Sequence, residues 1–182
     1  MNPVNGMKHA VNGTKRMRAL IIIAATLSCA STSAQRSIVR WAHGPFGTVA
    51  DAAYVVENGR IYQACGPFGE RGPCIWVFDE EKVFHAADAF GAKGQGAFVL
   101  DGIKFHRAEG SFANKGACLL LLEKEKIFHA DGVFCNKGSG GFVIEKGTVF
   151  LAEGPFANKS DAVLQVDGEI PLIALLTILS GL

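Results

Sequence analysis

Two histidines at matching places of the chain are the residues best suited to metal chemistry. His85 and His129 are 44 residues apart, and each follows an aliphatic residue and a phenylalanine and precedes an alanine. Imidazole nitrogens from neighbouring elements can bind zinc or copper. The equivalent places elsewhere hold Gln63, Arg107 and Leu151. Because the residue type varies so widely there, we expect half-exposed strand residues and no cofactor, with a metal site at the two histidines as the alternative.

Four cysteines could form disulfide bonds, namely Cys65, Cys74, Cys118 and Cys135. In a chain that enters an oxidising compartment, an even number of cysteines is typical of disulfides, and four cysteines allow three connectivities. Cysteine is also a common small core residue. The sequence therefore leaves disulfide bonds and buried free thiols equally open.

Three aromatic residues near the start of the chain could bind a sugar. Trp41, Trp76 and Tyr62 are of the types that form stacking platforms for carbohydrates. Trp76 lies at the place held by Phe98 and Phe142 in later segments, which favours a core position for it. We expect Trp41 to be the more exposed tryptophan, and a lectin-like role is the first alternative for the function.

No catalytic motif is present. The sequence has no Gly-x-Ser-x-Gly elbow, no His-Glu-x-x-His and no phosphate-binding glycine loop. The glycines recur where turns are expected, and the acids recur in every segment, so neither marks a single reactive centre. We therefore predict that the protein is not an enzyme.

A repeat of 22 residues organises the chain, and it must position any functional residue. The most regular columns of the repeat are a small residue, an aromatic residue and an acid. They are Ala42, Ala64, Ala86, Ala108, Ala130, Ala152 and Ala174; Phe46, Phe68, Phe90, Phe112, Phe134 and Phe156; and Glu57, Asp79, Asp101, Glu123, Glu145 and Asp167.

Each repeat reads as two strands joined by a tight turn. Short apolar runs rich in β-branched and aromatic residues flank pairs such as Asn58-Gly59, which is a strong signal for a type I′ hairpin. Glu57 would then face Arg60 across the turn, as an exposed pair that fixes the register. The predicted hairpins span about 53–64, 75–86, 97–108, 119–130, 141–152 and 163–174.

These six tandem hairpins predict an all-β fold in a closed or curled array, either trefoil-like or a meander. The alternative is a β-solenoid with one repeat per coil. Stacked coils would place six carboxylates in a column about 4.8 Å apart, where like charges repel. The charge pattern therefore favours the hairpin array.

The N-terminal segment, residues 1–34, is typical of a secretory signal peptide. Lys15, Arg16 and Arg18 precede the apolar run 19–27, and small residues follow before Gln35. Without this segment the chain keeps 14 basic and 17 acidic residues, a net charge of −3, because the segment holds four basic residues and no acid. That charge argues against nucleic-acid binding.

The remaining residues, 35–182, are expected to form one domain with an apolar C-terminal segment at 170–182. This segment is too short for a transmembrane helix. Together the features predict a secreted, periplasmic or cell-envelope protein that acts as a structural or interaction module with a protein or glycan partner. A secreted metal-binding protein is the second alternative.

Overall fold

The computed structural model describes residues 36–132 and 134–182. The predicted signal peptide lies outside these residues. The described residues form twelve β-strands and one helix. They are β1 (Ser37–His43), β2 (Thr48–Glu57), β3 (Arg60–Cys65), β4 (Glu70–Asp79), β5 (Lys82–Ala86), β6 (Lys93–Asp101), β7 (Lys104–Glu109), β8 (Asn114–Glu123), β9 (Lys126–Asp131), β10 (Asn136–Glu145), β11 (Thr148–Glu153), β12 (Asn158–Asp167) and α1 (Leu172–Leu179).

The strands form a closed antiparallel barrel in which neighbours in space are neighbours in sequence, and β1 pairs with both β2 and β12. The predicted all-β closed array is therefore confirmed. Its topology is a meander rather than a trefoil. The solenoid alternative is wrong. In a solenoid, equivalent residues of successive repeats would stack on one another, whereas here each strand pairs antiparallel with the next strand in the sequence.

The predicted register of the tight turns is confirmed for five hairpins. Glu57 lies opposite Arg60, Val56 lies opposite Ile61, and the later hairpins repeat this pairing without a register shift. Asn58 and Gly59 have φ angles of 52° and 72°, as a type I′ turn requires. Local turn chemistry thus sets five of the strand pairings.

The sixth predicted hairpin, 163–174, is wrong in its second half. β12 pairs with β1, whose Trp41 lies opposite Leu164, and residues 172–179 form α1. Pro171 has no N–H to donate to a sheet ladder, and the run after it is apolar on all sides rather than alternating. The last repeat therefore has no second strand of its own. β1 pairs with β12 in its place, and this pairing closes the barrel.

Bulges recur where each odd-numbered strand pairs with the next even-numbered strand. All six of these pairings contain register shifts. In the pairing of β5 with β6, for example, Val83 lies opposite Phe98 and Phe84 opposite Gly96, so Ala97 is an extra residue. Bulges bend a strand and increase its twist. One bulged pairing in each repeat gives the sheet the curvature that it needs to close.

The barrel is filled by its own side chains and by α1. One column of the repeat points inward and is fully buried; it consists of Val39, Ile61, Val83, Phe105, Ile127 and Val149. These residues belong to one apolar cluster with Ile173, Leu176 and Ile178 of α1. The helix is buried on all sides, and its Thr177 hydroxyl donates to the Ile173 carbonyl oxygen at 2.7 Å. It is thus the central element of the core. No helix among the described residues is long and apolar enough to cross a membrane.

The outer wall carries ion pairs that differ from those predicted across the turns. Asp101 accepts from the Lys115 ammonium at 2.6 Å rather than pairing with Lys104, and four other repeats make the equivalent bond 14 residues apart. The basic side chain reaches over the strand between, where it lies 3.8–5.4 Å from an aromatic ring in four repeats. Cation–π contact favours this longer reach. The hydrogen bond from Lys115 lowers the pKa of Asp101.

Six short loops, here called the phenylalanine loops, join each odd strand to the next even strand. Their described residues are 44–47, 66–69, 87–92, 110–113, 132 with 134–135, and 154–157. Their phenylalanine side chains are 74–96% exposed, namely Phe46, Phe68, Phe90, Phe112, Phe134 and Phe156. Backbone hydrogen bonds hold four of the loops against a neighbouring strand; for example, Gly96 N–H donates to the Gly110 carbonyl at 3.0 Å. The rings of these loops are therefore a fixed feature of the surface.

Candidate functional site in the barrel mouth

A cavity of about 960 Å³ opens at the end of the barrel where the odd-numbered strands finish. Leu179, Ser180 and Leu182 line it, so the end of α1 forms its floor. The walls come from the last inward-facing residues of the strands. The cavity exists because α1 fills only part of the length of the barrel.

Cross-strand pairs form much of the wall. Three pairs line the cavity with both members, namely Phe98 with Arg107, Leu120 with His129, and Phe142 with Leu151, while His85 and Trp41 line it without their partners Trp76 and Leu164. The even strands supply mostly apolar residues to these pairs. The odd strands supply the column of the repeat that contains His85 and His129, in which the residue type varies widely. This column gives the cavity its polar character.

The polar residues of that column lie together on one side of the barrel. His85, Arg107 and His129 are on β5, β7 and β9, which are successive odd strands. Trp41 and Leu151 lie on β1 and β11, on the opposite arc. No acidic side chain of the described residues lines the cavity, and within them Arg107 makes no ion pair. The mouth thus has a basic arc that faces a mostly apolar arc, in which His43 at the end of β1 is the polar residue.

The three aromatic candidates do not form one sugar platform. Trp41 lies in the cavity wall and is 36% exposed, as expected for the more accessible tryptophan. Trp76 is partly buried against the core cluster. Tyr62 is on the outer wall, where the Arg71 guanidinium lies 5.4 Å from its ring. Tyr54 bridges the two tryptophans, with ring centroids 6.4 and 6.3 Å away, and burial raises its pKa.

The two candidate metal histidines both line the cavity, but three strands lie between them. His85 is on β5 and His129 is on β9. Among the described residues, neither belongs to a set of three metal-binding side chains whose ligand atoms converge. A shared metal at His85 and His129 therefore stays a prediction that the geometry does not support directly.

One disulfide joins two of the four candidate cysteines. Cys118 of β8 and Cys135 of a phenylalanine loop are bonded, with their Cα atoms 5.4 Å apart. Cys65 is an exposed free thiol and Cys74 is a buried one. Burial is the main cause that raises the pKa of the Cys74 thiol. Disulfide and free thiol, which the sequence left open, thus occur in the same chain.

Sequence reasoning missed the cavity and the exposure of the phenylalanine column. The signal for the cavity was the tolerance of residue type at Gln63, His85 and Arg107, which is also what an ordinary exposed strand position shows. The signal for the exposed rings was their place among glycines, at turn positions. No protein-family model matches the chain, and no curated protein or solved structure is significantly similar to it.

Proposed function

We propose that the protein is an exported, non-enzymatic binding module that holds a small amphipathic molecule with an anionic group in the barrel mouth. The observation that carries the proposal is the Arg107 guanidinium, which forms no ion pair with any described residue and lies in the wall of a largely apolar cavity. A cavity of this size lies within the range of small-molecule sites.

The apolar body of the ligand would lie against the floor and the lower wall. Leu179 of α1, Leu120 and Phe142 line that part of the cavity. Removing apolar surface from water stabilises such a contact by roughly 25 cal/mol per Å². The floor is part of the folded core, so the site is already formed before the ligand enters.

The anionic group would face the basic arc. Arg107 offers a planar set of N–H donors that matches a carboxylate or sulfonate. His85 and His129 stand on the odd strands on either side and offer further ring N–H donors. Because the described lining contains no acid, nothing there competes with the ligand for Arg107.

Binding without turnover fits the chemistry of the lining. Ser180 is the hydroxyl residue of the lining, and its Oγ donates to the Thr177 carbonyl oxygen at 2.8 Å. That bond directs its proton into the helix, away from the histidines of the wall. A nucleophile would need a base in hydrogen-bonding reach. Export is supported by the typical signal sequence and is consistent with a disulfide.

The test is calorimetric titration with decanoate, with uncharged decanol as the matched ligand. We expect decanoate to bind more tightly, and we expect Arg107→Met to weaken it at least about tenfold, since hydrogen bonds to charged groups contribute about 1.5–3 kcal/mol. Arg71→Met, which changes a guanidinium on the outer wall, should have no effect. Equal affinities for the two ligands, or an unchanged Arg107→Met variant, would overturn the proposal. Glycan binding that is lost in Trp41→Ala would favour the lectin-like role instead.

A second candidate function, a structural module in which copies of this chain associate, is favoured by the six exposed phenylalanine rings. All six rings are exposed, and backbone hydrogen bonds hold four of their loops against the wall, so a similar apolar contact is offered six times around the barrel. Large exposed apolar side chains in a regular arrangement are typical of interaction surfaces.

Sedimentation velocity over a range of concentrations tests this second candidate. We expect the parent protein to associate as its concentration rises, and a variant with serine at all six loop phenylalanines to stay monomeric. Ile103→Ser is the control, because Ile103 is 54% exposed but lies at a tight turn on the opposite end of the barrel. A parent protein that is monomeric throughout would exclude association through the loops.

A further inference from the structure

The disulfide lies against a buried histidine on the outer wall. The ligand atoms of His106, Cys118 and Cys135 all lie within 4.8 Å of one another, and Nε2 of His106 is 3.9 Å from Sγ of Cys135. His106 is only 7% exposed. This cluster is separate from the barrel-mouth cavity, since none of its three residues lines that cavity.

Three departures from the repeat meet at this point. His106 occupies a column that elsewhere holds mostly aromatic rings, in Tyr62, Phe84, Phe128 and Phe150. Cys135 occupies a loop column of glycine and alanine. Cys118 occupies a column that holds glycine or alanine in four repeats and Cys74 in another. This column lies against the loop, as the close approach of Gly96 to Ala113 shows one repeat earlier. The disulfide accounts for two of these changes but not for the histidine.

The histidine is oriented as a metal ligand would be. Its Nδ1 lies 3.2 Å from the Gly116 carbonyl oxygen, which can only accept a hydrogen bond. Nδ1 therefore carries the proton, and in the neutral ring the lone pair of Nε2 faces the sulfurs. In a metal-binding imidazole, the ring nitrogen that does not bind the metal usually donates a hydrogen bond, often to a backbone carbonyl oxygen.

We infer that reduction of the Cys118–Cys135 disulfide creates a zinc site with two thiolate ligands and the Nε2 of His106. In the reduction, two thiols of an external reductant supply two electrons and two protons, the S–S bond breaks, and the reductant becomes a disulfide. Zn²⁺ then displaces the two cysteine protons to solvent. In a tetrahedral zinc site the sulfurs lie about 3.8 Å apart and sulfur and nitrogen about 3.5 Å apart. The sulfurs must therefore move apart once their bond is broken, whereas Nε2 of His106, 3.9 Å from Sγ of Cys135, is already close to its place. Water takes the fourth position.

This zinc site goes beyond the proposed function, because it requires neither the barrel mouth nor the phenylalanine rings. It makes metal binding conditional on the oxidation state of one cysteine pair. The bonded form has no thiolate to offer, and the reduced form has two beside a preset imidazole. The affinity of this three-residue cluster for zinc therefore depends on how much reductant is present around the protein.

The test uses the full chain with Cys29→Ser, Cys65→Ser and Cys74→Ala, so that only Cys118 and Cys135 can respond. After reduction and removal of the reductant without oxygen, Co²⁺ is added as a spectroscopic probe and then displaced by Zn²⁺. We expect one equivalent of Co²⁺ with thiolate charge-transfer absorption in the reduced protein and none in the oxidised protein.

The decisive variant is His106→Phe, which restores the aromatic residue of the repeat. We expect it to keep the disulfide and the melting temperature of the oxidised protein but to bind zinc at least about 100-fold more weakly when reduced. His106→Gln serves the same purpose if the phenylalanine disturbs folding. His43→Phe, at the end of β1, is the control and should bind zinc as the parent does. A reduced parent that binds no zinc, or a His106→Phe variant that binds it equally well, would overturn the inference.

Discussion

Replacing Leu176 and Ile178 together with alanine should lower the free energy of unfolding by at least about 4 kcal/mol, because each large-to-small change in a packed core costs about 2–5 kcal/mol. Leu176 is 1% exposed and Ile178 is fully buried in the middle of the barrel. Both belong to the apolar cluster that contains the inward-facing residues of the strands, so the whole barrel should weaken. Urea denaturation followed by circular dichroism measures the change.

Leu172→Ala is the matched control for the helix. Leu172 is the first residue of the same helix but is 37% exposed, and we expect it to cost about 1 kcal/mol or less. If the double variant were as stable as Leu172→Ala, α1 would not be the central element of the core.

Gly141→Ala should destabilise the protein by about 3–5 kcal/mol, since it combines backbone strain with a steric clash. Gly141 has a φ of 128°, and a Cβ there would overlap the Ile127 carbonyl oxygen and lie 3.1 Å from the Phe128 Cα. Equivalent places in other repeats hold Ala53 and Ala97, so the repeat alone predicts that alanine is tolerated. Thermal melting of the variant decides between the two expectations.

Gly154→Ala separates strain from clash. Gly154 has a φ of 71°, and no atom lies within 4 Å of a Cβ built there. Alanine at that position should cost about 1 kcal/mol through the backbone conformation alone. Equal losses in the two glycine variants would show that the close approach to Ile127 contributes nothing.

The part of the fold that the sequence predicts is the part that local chemistry determines. Asn58-Gly59 specifies its turn, and the turn sets Glu57 opposite Arg60. The closure is different, because an open curl and a closed ring of hairpins share the same local pattern. Whether β12 meets β1 depends on the curvature summed over six bulged pairings, and no single repeat contains that sum.

The candidate sites show the same division. Trp41, His85 and Arg107 belong to one column of the repeat, but only the closed barrel brings that column around a common space. The cluster of His106, Cys118 and Cys135 is easier to recognise in the sequence, since His106 and Cys135 each break a regular column. What the pattern lacked was the fold of the loop after β9, which lays Cys135 over β8.

The pairing of the first strand with the last has a consequence for the order of folding. Arg40 and Asp167, which form an ion pair across that seam, are 127 residues apart in the chain. A chain leaving the ribosome can form its early hairpins one by one, but it has neither a seam nor a filled interior until α1 has been made. Contacts over such long separations form slowly. The nascent chain should therefore stay open and pliable until β12 and α1 have been made.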